Sequence, residues 1–178
     1  MTTNLCTELP NPFLFDDGSE VKTAADWRRR REQVKDTIVD ILFGGMPPTP
    51  QSTEYELLHE AHVRGMDGVR YQTVRVAIGP GRLFTFPLYL MIPAGEGPFP
   101  VVLTGDACWR YVTDEVAKEV VSRGYILAQF NRVEIVPDAG SSDRVTGLYR
   151  VYPQGEYGAV AAWAWGYHRC VDVLNTMP

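Results

Sequence analysis

"GEGPFPVVLTGDACWRYVTDEVAKEVVSRGYILAQFN" (residues 95–131) decides the fold. Its Gly- and Pro-rich start reads as a turn. "PVVLT" after it reads as a short strand buried on both faces, because its apolar residues run without alternation. "TDEVAKEVVSRG" reads as a helix that Thr113 or Asp114 can cap and that Gly124 stops. "YILAQFN" is a second buried run. Strand, helix, strand at this spacing implies a parallel pair joined by a right-handed crossover.

The pattern upstream is different. Residues 54–64, 69–78 and 83–92 are extended runs joined by "GMDG" (65–68) and "GPG" (79–81). Connections that short pair strands antiparallel. In the third run Phe84, Phe86, Leu88, Leu90 and Ile92 point one way, and Leu83, Thr85, Tyr89 and Met91 the other, so burial of both faces is expected.

"TAADWRRRREQVKDTIVDILFGG" (23–45) precedes the strands and reads as a helix. Thr23 and Asp26 make a capping-box-like start, and Trp27, Val34, Ile38, Ile41 and Leu42 an apolar stripe. Gly44 and Gly45 end it, and Pro47 and Pro48 prevent its resumption. The first residues form a Pro- and Gly-punctuated arm with Phe13 and Phe15 as anchors.

Downstream of Asn131 a long irregular stretch runs to Tyr157, a length that usually marks a functional loop. A last helix follows from about Gly158 to Leu174. Val160, Trp163, Tyr167, Val171 and Leu174 form its main stripe, while Ala159, Ala161, Ala162, Ala164 and Gly166 keep its other faces slim. The expected organisation is a single, incomplete domain: arm 1–22, helix 23–43, antiparallel strands 54–92, β-α-β unit 99–131, long loop 132–157 and helix 158–175.

At 178 residues and 45% hydrophobic content, the chain can bury a sizeable core. Its net charge of −5 argues against nucleic acid, which demands a basic face. The run Arg28–Arg31 sits in the first turns of the first helix beside Asp26 and Glu32, and reads as a solvated face before it reads as a polyanion site. Cys6, Cys108 and Cys170 are too dispersed for a zinc knuckle or a disulfide framework. The start lacks the basic, apolar pattern of a signal peptide, and no run approaches a membrane span, so a cytoplasmic location is the expectation.

Antiparallel strands, a β-α-β unit, a long loop and a helix, in that order, make the opening half of an α/β-hydrolase fold. The sheet order is expected to begin 1-2-4-3. In that fold the next strand delivers a serine nucleophile in Gly-x-Ser-x-Gly. None of Ser19, Ser52, Ser122, Ser141 and Ser142 has that context, so no catalytic residue is expected within residues 1–178. His59 and His62 lie three apart on a strand and face opposite ways, unlike the four-residue helical spacing of a zincin. No metal or cofactor is expected, and neither a dinucleotide fingerprint nor a P-loop is present. His168 and Asp172 are four apart on the last helix and read as a helix-face pair, with Arg169 as a further partner.

The loops leaving the two parallel strands are the candidate site, since ligands of open α/β sheets bind at strand carboxyl ends. The backbone N–H groups of Asp106, Ala107 and Cys108 are candidate oxyanion-hole donors, as the corresponding hydrolase loop supplies one; a plain strand-to-helix turn is the competing reading. Trp109, Arg110, Asn131, Arg132 and Glu134 are candidate cleft-lining residues. Arg132 would suit a carboxylate or sugar ligand, or form a structural pair with Glu134.

"LPNPFLFDDGSEVKTAADWRRRREQV", "GPFPVVLTGD" and above all "YGAVAAWAWGYHRCVDVL" resemble the amino-terminal half of glucuronoyl esterases and their bacterial relatives, in order along nearly the whole chain. The resemblance implies an α/β-hydrolase that cleaves glucuronic acid esters in plant cell-wall polysaccharide with a serine, a histidine and an acidic residue and without metal. The family's members are often secreted. Its nucleophile elbow would follow the last helix, so residues 1–178 are expected to be inactive alone. An edge left open beside "VVLT" is expected to drive self-association. The alternative is a non-catalytic α/β protein that binds carbohydrate or a partner chain.

Overall fold

The computed structural model describes residues 9–109, 112–138 and 144–177. The chain divides into two compact units, Met1–Leu42 and Phe43–Pro178.

In the first unit Phe15 is buried, and Phe13 is exposed with its ring 5.5 Å from that of Trp27. Helix α1 (Ala24–Phe43) opens with a reciprocal cap: Thr23 N–H donates to Asp26 Oδ2 at 3.1 Å and Asp26 N–H donates to Thr23 Oγ1 at 3.1 Å. Arg30 is the buried residue of α1, paired with Asp16 at 2.5 Å. The expected stripe is not buried: Ile41 and Leu42 are 77% and 70% exposed. The arginine run is thus partly structural, with Arg30 turned inward and Arg29 lying 4.2 Å over the Phe15 ring.

The second unit carries a five-stranded sheet of order β1-β2-β3-β5-β4. Strands β1 (Thr53–His62), β2 (Arg70–Ile78) and β3 (Phe84–Ile92) form the antiparallel ladder that the turn spacing dictates, with a bulge between Leu57 and His59. Strands β4 (Val101–Thr104) and β5 (Ile126–Gln129) are parallel, and helix α2 (Asp114–Ser122) connects them. The parallel pair is reversed, with "VVLT" outermost, as anticipated. The expected 1-2-4-3 order counted two strands ahead of the pair; there are three.

Strand alternation sorts the core into two layers. On one face Val74, Val76, Ile78, Phe86, Leu88, Leu90, Ala128 and Phe130 pack with helix α4 (Ala159–Leu174), Leu148 and Tyr157. On the other, Val69 and Leu127 pack with Ala117 and Val121 of α2. The second face of β3 is only half-covered, and Leu83 before it is 56% exposed, so burial of that strand is one-sided.

Helix α4 is rotated away from part of the expected stripe, whose Trp163, Tyr167 and Leu174 pack half-buried against the core. Ala161, Ala162, Trp165, Gly166, Arg169, Cys170 and Val173 are buried, whereas Val160 and Val171 are 52% and 46% exposed. Small residues set how closely the β5 exit packs on it: a Cβ at Gly166 would stand 2.9 Å from Ile135 Cγ1 and 3.2 Å from Phe130 Cε2. Trp165 fills the remaining depth and donates from Nε1 to the Pro48 carbonyl at 2.8 Å. Asp172 pairs with Arg169 at 2.7 Å rather than with His168. The long connection 132–157 is not wholly irregular; it holds a 3₁₀ turn, Arg132–Glu134, and a short helix α3 (Gly147–Val151).

Candidate active-site face

The loops leaving β4 and β5 are locked together. Phe130 N–H donates to the Thr104 carbonyl at 3.0 Å and Arg132 N–H to the Gly105 carbonyl at 2.9 Å, and Asp106 bridges Asn131. Gly105 N–H donates to the Tyr167 hydroxyl at 2.7 Å, tying the exit of β4 to α4. A Cβ at Gly105 would stand 2.9 Å from both Phe130 Cζ and Tyr167 Oη, which makes glycine the residue that fits.

Six of the sequence-predicted residues meet here. The Arg132 guanidinium forms an ion pair with the Asp106 carboxylate and lies 4.7 Å from the Trp163 ring centroid. Asn131 caps the 3₁₀ turn by accepting from Val133 N–H at 3.0 Å, and its amide donates to Glu134 Oε1 at 3.3 Å. Partial burial raises the Glu134 carboxyl above its ordinary pKa, against a smaller opposing effect from the Asn131 hydrogen bond. Ala107 and Cys108 complete the turn, and their N–H groups make no hydrogen bond to a described residue. The Asp106 N–H is engaged with Thr104 Oγ1 at 3.3 Å. Trp109 is 67% exposed and stands apart from the cleft. Arg110 lies outside the described residues, as do Cys6, Ser141 and Ser142.

A cleft of about 260 Å³ opens on this face, lined by Tyr71, Tyr89, Ala107, Gln129, Asn131 and Glu134. The strand register builds it: Tyr89 of β3 stands opposite Gln129 of β5, and Tyr71 of β2 is the next residue but one from Thr73, the partner of Tyr89. Sequence reasoning found Ala107, Asn131 and Glu134 but passed over Tyr71, Tyr89 and Gln129. Their odd-numbered strand positions, facing away from the main core, were the available signal. A larger, more apolar groove of about 540 Å³ lies at the other end of β5, where Val101, Ile126 and Leu174 meet. It sits at strand amino ends and gathers fewer polar groups for its size.

Among the described residues no serine hydroxyl bonds to a histidine. Ser19 Oγ donates to Asp17 at 2.6 Å and Ser122 Oγ to the Glu119 carbonyl at 3.1 Å. Among the described residues strand β4 has β5 as its sheet neighbour on one side and none on the other, and Val101 and Val102 are 38% and 42% exposed.

The family described as glucuronyl esterase of fungi matches residues 75–178. The chain belongs to this family. Among relatives of the glucuronyl esterase kind, a 4-O-methyl-glucuronoyl methylesterase 1 of Wolfiporia cocos is 31% identical over 175 residues, covering 96% of this chain and 39% of that protein. The corresponding methylesterase of Schizophyllum commune is 29% identical, with the same coverage. A glucuronoyl esterase structure from Solibacter usitatus superposes with a TM-score of 0.75 at 22% identity, over 93% of this chain and 53% of that one. One from Sporotrichum thermophile gives a TM-score of 0.69 at 25% identity, over 96% and 41%. The chain therefore spans about two-fifths to one-half of the esterases it matches, and its sheet and helices are a partial α/β-hydrolase fold.

Proposed function

We propose that residues 1–178 are the amino-terminal part of a serine carboxylic ester hydrolase acting on glucuronoyl esters of plant cell-wall polysaccharide, and that they do not cleave ester alone. The observation that carries this reading is the edge of β4, unpaired among the described residues, beside which the locked 105–109 and 131–134 loops hold backbone N–H groups of Ala107 and Cys108 that bond to no described residue. In hydrolases of this fold the nucleophile strand pairs at that edge and an oxyanion donor comes from that loop. The names of the matched relatives, methylesterases of 4-O-methyl-glucuronoyl groups, support the ester class.

Hydrolysis of a methyl glucuronate ester tests it. Residues 1–178 should give no rate above buffer; a rate abolished by a serine-directed inhibitor overturns the claim of inactivity. The coding frame beyond codon 178 should contain a Gly-x-Ser-x-Gly-like elbow within a few tens of residues. A stop codon there favours instead a non-catalytic protein, whose exposed β4 edge would receive a partner chain.

A further inference from the structure

We propose that the cleft between Tyr71, Tyr89, Gln129, Asn131 and Glu134 is a subsite for one neutral sugar ring, held through its hydroxyls. This rests on the carbohydrate-ester reading above and assigns the cleft to an uncharged part of the polysaccharide, not to the uronate. The first argument is charge. No Lys, Arg or His lines the cleft among the described residues, and the one ionisable carboxyl there is Glu134. Arg132, the nearest cation on the same turn, is already paired with Asp106 and laid on Trp163, and its side chain is 19% exposed. Among the described residues a uronate carboxylate would meet Glu134 and no counter-charge, which disfavours it.

The second argument is the kind of polar group present. The Gln129 amide offers donors and an acceptor, the Asn131 amide keeps its second N–H beside its bonds to Val133 and Glu134, and a carboxyl and a tyrosine hydroxyl add to them. Sugar hydroxyls, which donate and accept at once, match that mixture. Tyr71 and Tyr89 add ring surface of the kind that pyranose C–H faces cover. The third argument is size. At about 260 Å³ the cleft lies just under the usual range for small-molecule sites, suited to one ring and not to a chain of them. Glu134 fits as well: partial burial favours its protonated form, and in either state it serves a hydroxyl, as acceptor or as donor.

Saturation-transfer difference NMR tests the subsite, because it reads bound sugar on a monomer and on a self-associated chain alike. The probes are cellotetraose and xylotetraose, with free glucuronate as the charged comparison. Saturable transfer to at least one neutral tetrasaccharide, weaker for glucuronate, is expected. Tyr71→Phe and Glu134→Ala should each weaken it about 3- to 10-fold, the loss of one hydrogen bond. Glu134→Lys should reverse the preference toward glucuronate. Near-UV circular dichroism checks that each variant is folded; should Tyr71→Phe fail, the two exposed-position changes at Glu134 decide. Absent saturation on the folded wild-type chain, tighter binding of glucuronate, or indifference to all folded variants overturns the proposal. None of those outcomes bears on ester cleavage, which the methyl glucuronate assay reads separately.

Discussion

The guanidinium of Arg132 closes an ion pair on the Asp106 carboxylate while lying 4.7 Å over the ring of Trp163, so one side chain joins the β4 exit, the β5 exit and helix α4. Removing it with Arg132→Ala should destabilise the fold by about 1–2 kcal/mol, the sum of a modest pair and a cation–π contact. Chemical denaturation measures this. A double-mutant cycle with Asp106→Asn should return a coupling of about 0.5–1 kcal/mol, because Asp106 is itself half-exposed. Zero coupling would mean that the pair positions nothing.

Gly105 is the tightest point of the same junction. Gly105→Ala puts a methyl 2.9 Å from Phe130 Cζ and Tyr167 Oη and should cost about 1–3 kcal/mol through overpacking. Tyr167→Phe keeps the packing and deletes the acceptor of Gly105 N–H, which should cost about 1–3 kcal/mol if no water replaces it. Thermal melts of the two variants read both effects. A Tyr167→Phe chain as stable as wild type would show that the hydroxyl is dispensable.

The cysteines should separate by accessibility. Cys170 is fully buried on α4, and burial pushes its thiol up to about 12; Cys108 is half-exposed. In a Cys6→Ser background a thiol reagent at neutral pH should modify Cys108 within the native state and Cys170 on unfolding alone. Fast labelling of both in native buffer would contradict the packing of α4.

Glu134 sets a direction for pH dependence. Its carboxyl is raised above 4.5 in the folded chain, so the folded state holds that proton more tightly than the unfolded one. The contribution is present in acid and is lost as pH rises from the unfolded value through the folded one. Glu134→Gln cannot ionise and should flatten that limb, with its advantage over wild type appearing toward neutral pH. Stability curves from pH 4 to 7 for the two proteins, differing in slope with the opposite sign, would refute it.

The β4 edge predicts self-association. Val102, 42% exposed on an outermost strand, should let wild-type residues 1–178 pair edge to edge, and Val102→Lys should shift the population toward monomer. Sedimentation velocity resolves the two. A wild-type chain that stays monomeric at high concentration argues that the edge is covered in some other way.

The antiparallel ladder and the parallel pair were legible because period-2 patterning and turn lengths fix them locally: Phe86, Leu88 and Leu90 announce their face in sequence. The face of α4 was legible in part: Trp163, Tyr167 and Leu174 of the expected stripe do pack on the core. Hydrophobicity also favours Val160 and Val171, whereas the buried side carries Ala161, Ala162 and Gly166. Helix α3 was missed because five residues are too few to show a period. At the candidate site, Asn131 and Glu134 were visible as polar residues past a buried strand. Tyr71 and Tyr89 looked like scaffold, since only the pairing of three strands brings them beside Gln129.

The two sides of the sheet are unequally filled: a broad layer of aromatic and aliphatic side chains under α4, and a small patch of Val69, Ala117, Val121 and Leu127 under α2. A layer that thin holds its helix weakly, so α2 is the element that can lift away while the rest stays intact. Within Phe43–Pro178, amide deuterium uptake should therefore begin in α2 and reach the central strands β2 and β3 last, which makes the crossover helix that unit's first opening seam.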